Sequence, residues 1–311
     1  MTRLTNNERA IVVTALRHAV PYLRVYKRKT FVIKAGGDAF VSPENTRALL
    51  EQVGILHQVG IRVVVVHGGG PQSTQLSKRL GLQTTMVEGR RVTDAATLEV
   101  STMVLNGEIN TRIVAMCRAL DIPAIGISGV DGGLIKAQRR PPVQRDGGES
   151  VDYGFVGDIH GLDASIIVKQ LDNDLVPIVS PLSADDQGTL LNINADTVAA
   201  AIGAALSAEK LMLCTGAPGI LERVDDPTSV ISYTDLNGLK RLREEKRIVD
   251  GMLPKAKAIE DAIRGGVRRV HVMSYKSPEG ILAEVFTNEG AGTLIVADVN
   301  ALSPAEQQIG K

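Results

Sequence analysis

Cysteine is nearly absent from this 311-residue chain: only Cys117 and Cys214 occur. Each follows apolar neighbours, Val114-Ala115-Met116 and Leu211-Met212-Leu213. Buried free thiols are expected rather than a disulfide, which fits a reducing, cytoplasmic setting. Excess charge of either sign is also missing, since 35 Lys and Arg balance 35 Asp and Glu. A nucleic-acid-binding face, normally basic, is therefore not expected. No apolar run approaches the roughly 18 residues of a membrane span, and residues 1–20 lack the unbroken apolar core of a signal peptide. There is no repeat of solenoid type. Neither a Gly-x4-Gly-Lys-[Ser/Thr] loop nor a Gly-x-Gly-x-x-Gly fingerprint is present, so a P-loop enzyme and a dinucleotide dehydrogenase are unsupported. No histidine or cysteine is spaced to share a metal with His67, and a protein-held metal is not expected.

What the chain does have is two strands that run into glycines. Phe31-Val32-Ile33-Lys34 leads to Ala35-Gly36-Gly37, and Val63-Val64-Val65-Val66 leads to His67-Gly68-Gly69-Gly70-Pro71. Short apolar runs of this kind predict buried parallel strands. Glycines after a strand let backbone N–H groups approach a ligand with no Cβ in the way. In open α/β sheets ligands sit at the carboxyl ends of strands, where both loops would lie. Two such loops beside a lysine suit a phosphate better than an apolar ligand.

The remaining pattern alternates. Strands are predicted at 31–34, 62–66, 123–127, 176–180, 211–214 and 269–273. Helices are predicted at 43–59, 71–80, 94–105, 107–120, 163–173, 195–207, 234–246, 254–265 and 277–287. This order predicts an α/β fold with an extended, mostly parallel sheet covered on both faces, a three-layer αβα sandwich. A further helix over 6–28, capped by Asn6 or Asn7 and kinked at Pro21, precedes it. Residues 138–154, with Arg139, Arg140 and Arg145, read as a hairpin or flexible excursion. With 44% apolar and 23% charged residues, the length allows about two domains. The turn cluster Asp185-Asp186-Gln187-Gly188 suggests a seam. The expected division is a helix over 1–29, a lobe over 30–185 and a lobe over 186–311.

Several residues stand out for chemistry. Lys34 at the end of a buried strand calls for a negative partner, either a ligand or a structural carboxylate. Gly69, Gly70 and Pro71 open a helix whose N-terminus can take an anion. Gly89-Arg90-Arg91-Val92-Thr93-Asp94 sets an arginine fork, suited to a carboxylate, before a helix capped by Thr93 or Asp94. Asn192, Asn194 and Asp196 share a face if the segment is extended, where amides and a carboxylate can read a polar substrate and hold a lysine; helix capping by Asn194 or Asp196 is the plainer alternative. Lys255 stands in the first turn of a helix, where the dipole disfavours a cation unless an anion offsets it.

Taken together, Lys34-x-Gly-Gly, His67-Gly-Gly-Gly-Pro, Arg91-Val-Thr-Asp, Gly126-Ile-Ser-Gly-x-Asp-Gly-Gly, Gly154-Phe-Val-Gly, Asn192-Ile-Asn-Ala-Asp and Met252-x-Pro-Lys255 resemble the amino acid kinase family. The likeness runs from about 6 to 298 and is to the branch acting on N-acetyl-L-glutamate. It implies ATP-dependent phosphorylation of the side-chain carboxylate to N-acetyl-L-glutamyl 5-phosphate, in arginine synthesis, with magnesium on the nucleotide. By this resemblance Lys34 and Lys255 stabilise the transferring group, Asp196 orients both, and Gly36, Gly37, Gly69 and Gly70 donate N–H bonds. Arg91 would bind the acceptor α-carboxylate, with Asn192 and Asn194 nearby. Three positions depart from the family pattern: Gly216 replaces an aspartate of the nucleotide site, Asp38 adds an acid near the phosphates, and Val130 replaces a lysine. An arginine-sensing regulatory protein, or a kinase for a carrier-bound aminoadipate or glutamate, is the alternative.

The helix over 6–28, with Tyr22 and Tyr26, resembles the extra amino-terminal helix of the arginine-sensitive, hexameric members. Such a likeness implies a homo-oligomer, a dimer or trimer of dimers, with arginine as effector. His271, Glu284 and the turn beginning at Gly290 match effector positions, and Glu284 would pair with the cationic end.

Overall fold

The computed structural model describes residues 5–301 apart from 88–89, 145–147, 149, 224, 249–250 and 289. Gly89 and Arg145 of the sequence reading thus lie outside the described residues. The centre is an eight-stranded sheet: β1 (Thr30–Ala35), β2 (Arg62–His67), β3 (Ala124–Ser128), β4 (Val176–Ser180), β5 (Lys210–Thr215), β6 (Tyr233–Asp235), β7 (Arg269–Ser274) and β8 (Gly292–Val296). Its spatial order is β6-β8-β7-β5-β1-β2-β4-β3. From β7 to β3 every pairing is parallel, and β8 runs antiparallel to β7. The chain leaves β1 toward β2 and later returns on its other side as β5. Strand order therefore reverses at β1, and the crevice beyond the carboxyl ends there is where such sheets bind ligands.

Helices cover both faces. Phe31, Ile33, Val63, Val65, Ile178 and Met212 belong to one apolar cluster, with α2 (Pro43–Gln58), α4 (Ala95–Thr102), α5 (Thr111–Ala119) and α10 (Gly280–Phe286). Val32, Val64, Val66, Leu211 and Leu213 belong to the other, with α6 (Ser165–Asp172), α7 (Ala195–Ala205), α8 (Leu236–Glu244) and α9 (Met252–Arg264). Odd and even positions of a strand face opposite ways, so unbroken runs of Val and Ile feed two cores at once. Fully burying one such side chain contributes about 1.5–3 kcal/mol. Cys117 and Cys214 are free and buried, as expected, and burial pushes both thiols up to about 12.

Several elements differ from expectation. The helices predicted at 94–105 and 107–120 are one continuous run, in which a π-helical segment, Met103–Asn110, joins α4 to α5. A second sheet, with the order Leu190–Asn192, Leu182–Ala184, Ile135–Arg139, Gly157–Leu162, was not predicted. The strands Ile135–Arg139 and Gly157–Leu162 pair antiparallel, so the hairpin reading of 138–154 is the one observed. The turn Asp185–Gly188 joins two antiparallel strands, with the Asp185 carboxylate accepting from the Gln187 and Thr189 N–H groups.

Helix α1 (Asn6–Tyr26) is capped by Thr5, not Asn6 or Asn7. Thr5 accepts from the Glu8 N–H while the Glu8 carboxylate accepts from the Thr5 N–H, a reciprocal capping box. Pro21 lies inside the single helix, and no residue of α1 is buried. Its last turns are docked: Tyr22 packs edge-on to Phe286 at 6.4 Å and Tyr26 to Phe31 at 5.3 Å. Helix α3 (Gly70–Arg79) begins directly at the second glycine loop.

Candidate active site

Strand period decides where Lys34 points. With Val32 it faces the α7 and α9 side of the sheet, opposite to Ile33 and Ala35. Asp196 stands in the first turn of α7, where an acid is favoured by the helix dipole, and Lys255 stands in the first turn of α9. Lys34 Nζ lies 2.9 Å from Asp196 Oδ1. Lys255 Nζ donates to the same carboxylate, 3.0 Å from Oδ1 and 3.1 Å from Oδ2. All three side chains are buried. Burial alone would raise the Asp196 carboxyl, but the ammonium groups of Lys34 and Lys255 outweigh it and hold the acid well below the usual range. Lys255 is pushed down by burial and by Lys34, against the pull of Asp196. Two ammonium groups against one carboxylate leave one positive charge unbalanced at the cleft.

The glycine loops meet above this charge. A Cβ on Gly37 would fall 2.8 Å from Gly69 Cα and 2.9 Å from Pro71 Cδ, so only bare backbone permits the contact. Gln72 Nε2 donates to the Gly37 carbonyl at 2.8 Å and ties loop to loop. Lys34, Gly36, Gly37, Gly69, Gly70, Arg91, Asn192, Asn194 and Asp196 all line one cleft. Lys255 reaches it through Asp196.

Arg91 bridges the cleft wall, donating to the Gly70 carbonyl at 3.1 Å, to Thr74 Oγ1 at 2.7 Å and to Thr84 Oγ1 at 3.1 Å. Asp94, rather than Thr93, caps α4. Thr93 is fully buried and accepts from Asn192 Nδ2 at 3.3 Å. Asn194 caps α7 through its side-chain oxygen, 2.9 Å from the Asp196 N–H and 3.2 Å from that of Thr197. The plainer capping reading therefore describes its oxygen, although the residue also borders the cleft. Asp38 lines the cleft too, while Val130 is exposed on a turn where Asp131 accepts from the Ser128 N–H and hydroxyl. Arg90, the other half of the fork, lines the cleft beside Arg91; Met86, Leu105 and Pro181 also line it and were not singled out from sequence. Apolar residues such as these carry no signal of their own until the fold brings them there. Among the described residues no three His, Cys, Asp or Glu side chains could together hold a metal.

A second cavity forms where α1 meets β7 and α10. Tyr22, His271, Glu284 and Gly290 all line it, joined by Tyr26, Lys210 and Arg269. His271 Nδ1 lies 2.6 Å from Glu284 Oε1, and the Ala291 N–H donates to Glu284 Oε2 at 2.5 Å. Lys210 Nζ lies 3.2 Å from His271 Nε2. Burial works to raise the Glu284 carboxyl, but His271, the Ala291 N–H and Lys210 hold it at about 2. Burial, aided by Lys210, pushes His271 down to about 4. Lys210 was missed in sequence because a lysine opening a strand is usually a solvated end.

These features define a kinase fold of one class. Residues 29–274 match the amino acid kinase family, and the chain belongs to it. Within the family, an acetylglutamate kinase of Myxococcus xanthus is 46% identical over 297 residues, covering 94% of this chain and 96% of that protein. An acetylglutamate kinase of Archaeoglobus fulgidus is 42% identical over 285 residues, covering 91% of this chain and 98% of that one. Among solved structures, N-acetylglutamate synthase from Neisseria gonorrhoeae, complexed with coenzyme A and N-acetyl-glutamate, superposes with a TM-score of 0.80 at 26% identity. That match covers 92% of this chain and only 64% of the longer synthase. Carbamate kinase from Giardia lamblia shares the fold at a TM-score of 0.60 and 18% identity, over 87% of this chain and 99% of that one.

Proposed function

We propose that the chain transfers the γ-phosphoryl group of ATP to the side-chain carboxylate of N-acetyl-L-glutamate, giving N-acetyl-L-glutamyl 5-phosphate for arginine synthesis. The observation that carries this reading is the buried Lys34–Asp196–Lys255 cluster beneath two facing glycine loops, in a chain 46% identical to an acetylglutamate kinase. A carboxylate with a pKa near 4.3 is ionised at neutral pH, so the acceptor needs no general base. One carboxylate oxygen attacks the γ-phosphorus, the bond to the β-γ bridging oxygen breaks, and ADP leaves. No proton moves. The obstacle is repulsion between anions, so catalysis is positioning and electrostatic relief.

In this reading Lys34 and Lys255 attract the phosphoryl oxygens as charge shifts, and Asp196 holds both ammonium groups in place. Backbone N–H groups of Gly36, Gly37, Gly69 and Gly70 donate to the same group. Arg91 takes the acceptor α-carboxylate, while Asn192 and Asn194 flank its acetylamino end. The lobe over 30–185 holds the acceptor and that over 186–311 the nucleotide. Magnesium, carried on the nucleotide phosphates, would offset their negative charge; Asp38 and Asp196 are the carboxylates that line the cleft and would face it. We place the enzyme in the cytoplasm; among the described residues no helix is long and apolar enough to cross a membrane.

The same reading extends to regulation. Arginine as effector would fit the second cavity, its cationic end against Glu284 and its carboxylate near the turn at Gly290. The bare apolar residues of α1, among them Ile11, Val13 and Leu16, support assembly of dimers into a hexamer through this helix. The deciding experiment is ATP consumption by the purified chain with N-acetylglutamate, free glutamate, N-acetylaspartate and no acceptor. Turnover confined to N-acetylglutamate is expected. Equal turnover with the other acceptors, or none, sinks the assignment.

A further inference from the structure

His67 ends β2 and is completely buried, yet phosphoryl transfer to an ionised carboxylate asks no proton of it. Both ring nitrogens have partners that fix their state. Nδ1 lies 3.1 Å from the Gly68 carbonyl oxygen, which can only accept, so Nδ1 carries the hydrogen. Nε2 lies 3.1 Å from Asn110 Nδ2. That amide nitrogen is also 2.9 Å from the Ile178 carbonyl oxygen. A carbonyl cannot donate, so the Asn110 amide has one orientation and gives one hydrogen to each neighbour. Nε2 is then the acceptor, and the ring is held as one neutral tautomer.

The surroundings are shaped for this contact. Asn110 is the last residue of the π-helical segment, and such segments recur at functional sites. A Cβ on Gly126 would stand 2.0 Å from Asn110 Oδ1, so bare backbone in β3 leaves room for the amide. From the same segment Leu105 and Ile109 pack under the loop, each 2.6 Å from where a Gly69 Cβ would be.

The consequence runs through one peptide plane. The Gly68 carbonyl and the Gly69 N–H belong to a single trans peptide and point in opposite directions. A carbonyl held toward the buried ring turns the Gly69 N–H away from the core, and Gly68, Gly69 and Gly70 line the cleft. Among the described residues, nothing accepts from the Gly69 N–H. We propose that His67, locked as its Nδ1–H tautomer by Asn110, is a positioning residue that aims the Gly69 N–H at the transferring phosphoryl group. This rests on the phosphoryl-transfer reading given above.

The test uses the full chain and four variants. Losing one donor to a charge-shifting group costs about 10²–10³ in rate, and misaiming it costs less. His67→Phe keeps the ring volume without the donor and is expected to lower kcat about 10–100-fold, with both KM values within about threefold. His67→Asn, whose amide N–H can still reach the Gly68 carbonyl, is expected to restore most of that loss. Asn110→Leu and Gly126→Ala act on the ring from the side away from the cleft, and each is expected to lower kcat alone. Nitrogen-15 spectra of the histidines, recorded without substrates, should show His67 as Nδ1–H in the wild type and as mixed tautomers in Asn110→Leu. An Nε2–H ring in the wild type overturns the proposal. So does an unchanged kcat in a folded His67→Phe, or in both Asn110→Leu and Gly126→Ala should His67→Phe fail to fold. A loss confined to KM does the same. A wild type that consumes no ATP with any acceptor overturns the functional reading, while the spectra still decide the tautomer.

Discussion

Asp196 between Lys34 and Lys255 is the point on which both stability and the proposed chemistry turn. Lys34→Ala and Lys255→Ala are each expected to lower kcat by about 10²–10³, with much smaller effects on acceptor KM, because both act on charge that moves during transfer. Arg91→Ala is expected to act mainly through acceptor KM, since a contact to the α-carboxylate is the same before and after transfer. Steady-state kinetics on the three variants separate the two patterns; an unchanged acceptor KM in Arg91→Ala removes that residue from the acceptor site. The buried histidines make a second residue-scale prediction. His67 and His271 are each held at about 4 in the fold against 6.5 when free, burial being the main cause. The unfolded chain therefore binds the extra protons, and their neutrality favours the fold fully above pH 6.5. That contribution is lost as pH falls from 6.5 toward 4, by at most about 3 kcal/mol for each. Urea unfolding at pH 7.5 and 4.5 should show the fall, and a flat profile would contradict it.

At the scale of elements, the two glycine loops form one unit because each leaves space for the other. Gly37→Ala puts a methyl group against the Gly69 Cα and the Pro71 ring. Backbone cannot yield as a side-chain tip can, so the loops must separate; a cost of about 1–3 kcal/mol is expected, with a fall in kcat near that of a lost donor. Melting temperature and kcat measured together check this, and wild-type values in both would refute the loop contact. Gly216 is the opposite case. A Cβ there meets nothing within 4 Å, and Thr215 Oγ1 accepts from the Ala217 N–H to hold the local turn. Gly216→Asp should leave the melting temperature unchanged while restoring the family's acid, and tighter ATP binding by calorimetry is the expected result. Weaker binding would mean that the loop is rebuilt around glycine.

At the scale of the whole molecule, α1 is held, among the described residues, by its last turns, where Tyr22 donates to Asn288 Oδ1 at 2.7 Å and stacks edge-on with Phe286. The same turns border the second cavity, so assembly and the arginine response should be lost together. Sedimentation of the full chain is expected to give an arginine-inhibited hexamer, and a chain lacking residues 1–27 a smaller, arginine-insensitive particle. Arginine can inhibit only by binding one arrangement better than another, so its affinity should fall when both substrates are bound. A dimeric full chain would end the assembly part, and an insensitive hexamer the regulatory part.

Local rules were enough for much of this protein. Short apolar runs announced β1, β2, β4, β5 and β7, because a strand buried on both faces is apolar along most of its length. The glycines of both loops and the lysine just before the first were legible for the same kind of reason: a bare backbone and a buried cation are costly unless something uses them. Helix capping by Asn194 was legible as an alternative, and the structure assigns its oxygen there. What the residues could not announce were contacts between segments far apart in the chain. The short strands Leu182–Ala184 and Leu190–Asn192 exist through pairing rather than propensity. The π-helical segment joins two helices that a local reading separates. Asn110 reads locally as an ordinary polar residue near a helix start. Only the packing of β2, β3, β4 and the π-helical segment against one another brings its amide to His67 and to Ile178. A hydrogen bond across 43 residues of sequence is set by the closeness of strands, and closeness is a property of the folded core alone.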